Sequence, residues 1–243
     1  ADGATLGADN GIGVATALAL LEMEGDAKLP PLECLFTVDE ETGLTGAFAL
    51  DGNLLQGRTM LNLDTEEWGA ICIGCAGGGD SQISLPVSYE GAPGDFLSFQ
   101  LAVEGLKGGH SGVDIHEYRA NAIVLLASVM VPLTEMGVRI VSVQGGDKTN
   151  AIPREAFATL LLPPEAMADA QIAVAGRTES LRSEYGSLEK DMRVSLVGLE
   201  DAPAECMSAE AQGNLMGLLR TLPHGAGCPP RSAGHCPPFH RIP

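Results

Sequence analysis

The chain has 243 residues, 14 Lys plus Arg against 32 Asp plus Glu, and a net charge of −18 with histidine neutral. Hydrophobic residues make up 45% of it, enough for a packed core and too many for bulk disorder. Such a charge argues against nucleic acid or an anionic membrane as partner, because both reward clustered Lys and Arg. The longest apolar run, Ala122 to Leu133, contains Ser128 and Pro132 and reads as a buried helix, well short of the roughly 18 residues of a membrane span. Six cysteines are too sparse for a disulfide scaffold, and the single CxxC of Cys72 and Cys75 reads as structural, so a reducing, cytoplasmic setting is expected. The opening ADGATLGADN lacks the basic-then-apolar pattern of a signal peptide, and the chain is expected to begin partway through a domain.

In chain order, Asn10 is placed to cap a helix whose apolar positions run from Ile12 to Leu21. Gly25-Asp26 should stop it, and Leu32 to Val38 reads as a β-rich strand. A short helix over Thr42 to Leu50, a turn at Asp51-Gly52 and a strand from Arg58 to Asp64 follow. This alternation predicts a mostly parallel sheet covered by helices. The composition then shifts around the glycine-rich stretches at 74–79 and 91–94, which bracket a strand-like Ser81 to Tyr89. Beyond them, Phe96 to Val103 alternates as a half-buried strand, and a glycine-rich loop at 105–112 leads to a helix over Glu117 to Val131. Strands at Arg139 to Gln144 and Ala156 to Leu162 and a helix from Glu165 to Glu189 complete a βαββα pattern, that of a two-layer α+β domain. Helical residues Gln212 to Arg220 follow. The predicted organisation is thus α/β over residues 1–85, a smaller α+β domain over 96–223 and an aberrant, proline-rich tail over 224–243 that is expected to be disordered.

Asp9, Asp39-Glu40-Glu41 and Asp64 carry the first chemical signal. The two predicted strands deliver acids at their C-terminal ends, where open α/β sheets bind ligands, and Asp9 lies in a glycine-flanked loop just before the first helix. No Lys or Arg lies within four residues of Asp9 or Glu40. A solvated acidic patch is one reading. The other is a bound divalent cation, with one acid coordinating and its neighbour taking a proton from water. The loop Gly108-Gly109-His110-Ser111-Gly112 is neither a nucleophile elbow, which would need glycine at Val113, nor a phosphate loop. His110 reads as a surface histidine or as a donor to a developing oxyanion, and Asn150 as a loop amide or a substrate-orienting one.

Five motifs occur in order: residues 5–13, 37–43, 61–67, 105–112 and 150–157. Together they resemble the di-zinc peptidase family that includes aminoacylases and related carboxypeptidases, and within it a bacterial dipeptidase branch. The resemblance implies Asp9, Glu41 and Asp64 as zinc ligands, with Mn2+ or Co2+ as alternative metals, and Glu40 as general base. It implies His110, in a lid domain, as oxyanion donor to the partner subunit's site, Asn150 as a substrate-holding amide, and a homodimer formed through the lid. Its implied reaction is hydrolysis of unblocked dipeptides, Xaa-His among them. The family's H-x-D zinc histidine, a later lid arginine and a final zinc histidine have no counterparts here, so the chain resembles an internal fragment. A catalytically dead remnant and a sibling aminoacylase or tripeptidase are the alternatives.

Overall fold

Helix α1 (Ala8–Glu22) begins on the expected cap: the Gly13 N–H donates to Asn10 Oδ1 at 2.9 Å, satisfying one of the donors a helix start leaves open. The computed structural model describes residues 8–23, 29–40, 43–64, 68–74 and 79–225. These divide into two compact units, one holding the described residues up to Gly74 and the other those from Gly79 onward. The expected stop at Gly25-Asp26 lies outside the described residues.

In the first unit the short helix appears as α2 (Thr45–Phe48), with Thr45 Oγ1 donating to Asp39 Oδ2 at 2.8 Å. Asp51 makes the predicted turn by accepting from the Asn53 N–H at 2.9 Å. The mixed α/β class stands, yet the strands expected at 32–38 and 58–64 are not formed, and the described residues of this unit contain no strand. A parallel strand is stabilised by ladder partners on its edges and cover on both faces. Neither is supplied here: Phe36 is 48% exposed and Leu61 84%. The first segment is held by a side chain instead to the residues just ahead of the second, the Glu33 carboxylate accepting from the N–H groups of Gln56 and Gly57. Those two donors hold the Glu33 carboxyl below its ordinary range.

The second unit is built on backbone ladders. After β1 (Tyr89–Gly91), which replaces the longer strand expected from Ser81, comes β2 (Leu97–Glu104), whose Phe99, Leu101 and Val103 face the core as the alternation requires. Next are β3 (Gly109–His110) and helix α3 (Ala122–Glu135). The helix starts five residues later than Glu117 because Ile115–Glu117 forms a 3₁₀ turn closed by Tyr118 at φ 55°. Asn121 then caps it, its Oδ1 accepting from Ile123 N–H at 3.0 Å. It runs through Pro132 and ends on Gly137 (φ 82°), where the N–H groups of Gly137 and Val138 reach Thr134 and Leu133 carbonyls. That left-handed terminus is the kind glycine adopts without a Cβ penalty.

β4 (Arg139–Gly145), β5 (Ala151–Ile152), β6 (Ala156–Leu162) and α4 (Met167–Tyr185) follow. Strand β7 (Arg193–Gly198), which the periodicity did not predict, comes next, then β8 (Glu205–Met207) and α5 (Ala209–Thr221). The main sheet has the order β4-β6-β2-β7, every pair antiparallel. Helix α3 lies across β2, β6 and β4 and against α4, burying Leu126, Met130 and Leu133 on Leu101, Ile140, Leu160 and Leu162. Each such leucine contributes about 1.5–3 kcal/mol by leaving water. A second clip joins the β1–β8 ribbon to the sheet: Arg139 donates to Glu90 Oε1 and to the Met207 carbonyl, both at 2.6 Å. Of the predicted tail, His224 is seated on the α3 cap, 3.3 Å from Asn121 Nδ2, while residues 226–243 lie outside the described ones.

Replacing Leu126 by alanine is expected to lower the unfolding free energy by about 3 kcal/mol, and replacing Ile12, 69% exposed, by less than about 0.5 kcal/mol. Urea titrations of the two variants measure the contrast.

Candidate functional site

The predicted acids of the first unit sit on separate local structures. Asp9 lies in the first turn of α1 with extended backbone (φ −97°, ψ 105°), exposed, and its peptide bond to Asn10 is cis. Glu40 ends the segment before α2, its carbonyl accepting from Leu44 N–H at 3.3 Å. Asp64 follows an Asx turn in which its own N–H donates to Asn62 Oδ1 at 3.0 Å. Glu41 lies outside the described residues. Among the described residues, no group of three or more His, Cys, Asp or Glu side chains is placed to hold a metal ion. Oxygen donors suit a divalent cation chemically, but zinc takes three or four ligands, and the described residues do not bring that number together.

The second unit brings two of the candidate residues together. Strand β3 pairs with β5 so that His110 stands opposite Ala151, which places Asn150 beside it. The Ser111 N–H donates to the Asn150 carbonyl at 2.8 Å, closing the two loops together. His110 is exposed, yet its ring is held. Nδ1 accepts from the N–H groups of Gly112 and Val113, both at 3.0 Å. With Nδ1 an acceptor, the neutral imidazole carries its proton on Nε2, so the ring presents an N–H donor. The His110 backbone N–H donates in turn to Asp114 Oδ2 at 2.8 Å.

Asp114 also receives Arg119 Nη1 at 3.0 Å, and Arg119 reaches the Gly108 carbonyl at 2.6 Å and Glu117 through Nε at 2.8 Å. The loop needs glycine where it does: at Gly109 (φ 145°) a Cβ would collide with the Arg119 guanidinium and the Asp114 carboxylate. The His110 N–H first, and then the Arg119 charge, hold the Asp114 carboxyl below its ordinary value. Glu117 is lowered chiefly by its hydrogen bond from Arg119, which is itself raised by that bond. Asp114 and Arg119 hold the His110 loop, and the sequence reading did not pick them out. Asp114 is the one with a local signal, an acid four residues after a histidine in a glycine-rich turn.

Residues 101–187 match the peptidase dimerisation domain family, M20_dimer. The chain is 41% identical over 226 residues to the cytosol non-specific dipeptidase of Escherichia coli K12, covering 93% of this chain and 46% of that protein. It also superposes on the crystal structure of aminoacylhistidine dipeptidase from Vibrio alginolyticus with a TM-score of 0.77 and 37% identity, over 95% of this chain and 47% of that one. Along nearly its whole length the chain is thus similar to the aminoacyl-histidine, or cytosol non-specific, dipeptidases, and it spans about half the length of these relatives.

Because the folded carboxyl of Asp114 lies below its ordinary value of 3.8, its charge stabilises the His110 loop at neutral pH, and that contribution is lost as pH falls through the folded pKa. The amide resonance of His110, followed by NMR, should therefore titrate with a midpoint below 3.8.

Proposed function

We propose that this chain is part of a metal-dependent dipeptidase that hydrolyses unblocked dipeptides, Xaa-His substrates among them. The observation that carries the reading is identity of 41% to a dipeptidase along nearly the whole chain. In this reading residues 1–85 belong to the catalytic domain and 96–223 to the lid, and the protein is a cytoplasmic homodimer joined through the dimerisation domain. Among the described residues, no helix is long and apolar enough to cross a membrane.

Each residue has a chemical part. Glu40 is the base that takes a proton from the attacking water. His110 donates its Nε2–H to the oxygen of the scissile carbonyl as negative charge develops there. Asn150, held beside His110, binds the substrate backbone through its amide. Asp9, Glu41 and Asp64 are the carboxylates assigned to hold zinc, with manganese or cobalt as alternatives. A second reading is that this chain, which spans about half the length of the relatives it matches, is by itself catalytically inactive.

Three measurements test these readings. In a full-length family protein carrying these residues, carnosine should be cleaved and an N-acyl amino acid left intact; the reverse preference makes it an aminoacylase. There, Glu40→Ala should lower turnover by about a hundredfold or more while zinc content is retained, and loss of the metal with the activity would reassign the base. Calorimetric titration of the present chain should show no zinc binding at micromolar concentration, whereas a tight stoichiometric site would overturn the inactive reading.

A further inference from the structure

β2 ends at Glu104 and α3 starts at Ala122, and His110 is carried on the excursion between them. Both stems end on one side chain. Glu189, distant in sequence, accepts from the Lys107 N–H through Oε2 at 2.7 Å and from the Ala120 N–H through Oε1 at 2.9 Å. Glu189 is only 2% exposed, and it is the one buried acid among the described residues. A carboxylate is costly to bury unless its oxygens are met by donors, and these two charge-assisted bonds meet them.

The arrangement selects a carboxylate in particular. Each oxygen faces a backbone donor, so a glutamine could accept at only one stem and would set its NH2 group against the N–H of the other. Inside the clamp the contacts continue without a break. Gly108, next to Lys107, offers its carbonyl to Arg119, next to Ala120. Arg119 holds Asp114, Asp114 holds the His110 backbone, and the turn after His110 supplies the two N–H groups that fix its ring. The backbone around Glu189 is itself anchored, its N–H donating to the Tyr185 carbonyl at 2.8 Å at the end of α4.

We propose that Glu189 is a positioning residue for His110: by closing both stems of the 107–120 loop with one buried carboxylate, it keeps the imidazole in the Nε2–H tautomer that can donate to a reacting carbonyl. The catalytic half of this statement rests on the reading of His110 as oxyanion donor; the geometric half stands on the loop alone.

The test is NMR of the present chain with 15N-labelled histidine, the His110 signals being assigned by their loss in His110→Gln. The wild-type ring should be in the Nε2–H form. In Glu189→Gln a second tautomer should appear, and amide exchange at Gly112 and Val113 should rise about tenfold or more, with Ala102 and Ala158 in the sheet unchanged. A folded Glu189→Gln chain with the wild-type tautomer and wild-type exchange would overturn the proposal. Should that variant fail to fold, wild-type exchange decides. Lys107 and Ala120 amides must be at least as protected as those of Gly112 and Val113, and faster exchange at the stems would equally overturn it. These readouts do not involve turnover. A full-length protein that keeps its dipeptidase rate with His110→Gln would therefore overturn the oxyanion reading and the catalytic half with it, while the clamp is judged on the NMR.

Discussion

Everything the second unit does depends on the pairing of β2 with β6 at the centre of its sheet. The register runs unbroken from Leu97 opposite Leu162 to Val103 opposite Ala156, and the inward side chains of both strands are sealed by α3. Because a one-residue slip would turn that whole apolar set to the opposite face, the burial fixes the register. The register then fixes where both strands stop. The excursion carrying His110 leaves just beyond the end of β2, and the segment carrying Asn150 enters just ahead of β6. Their proximity is a by-product of sheet geometry, secured locally by the short β3–β5 ribbon.

The contrast between the two units shows which information a sequence carries locally. β2, β4, β6 and α4 were legible because alternation, helical periodicity and turn residues are written within each segment. Asn10 was legible as a cap for the same reason. The start of α3 was displaced because Tyr118 takes a left-handed conformation that nothing in its own residue type demands. β7 escaped because Arg193 to Gly198 is short and owes its strand state to the free edge of β2. The segments 32–38 and 58–64 have the composition of strands and remain outside any ladder. A buried parallel strand is a property of its neighbours as much as of its residues.

The candidate site divides along the same line. His110 and Asn150 could be picked out because glycine and proline punctuate the loops around them. Asp114 and Arg119 lie close by in the chain, but their pairing depends on a backbone turn that brings them under the histidine. Glu189 could not have been read at all, since its partners are 82 and 69 residues away and nothing in the local pattern distinguishes a buried clamp from one more acid in an acidic chain. The carboxylates Asp9, Glu40 and Asp64 show the converse: residues that stand out by type, which the described geometry does not gather into a group of three or more.

The first unit leaves a large apolar area facing solvent, including Leu18, Phe48, Met60, Trp68 and Ile71. Surfaces of that kind ordinarily draw chains together. Against this stands the excess of acids, −18 over the chain, which adds a long-range repulsion between copies at low ionic strength. The acidic coat thus serves as a colloidal barrier, and its range is a Debye length of about 10 Å at 0.1 M salt and about 3 Å at 1 M. Ionic strength, by setting the range of that repulsion, sets how readily these exposed apolar side chains meet those of another copy.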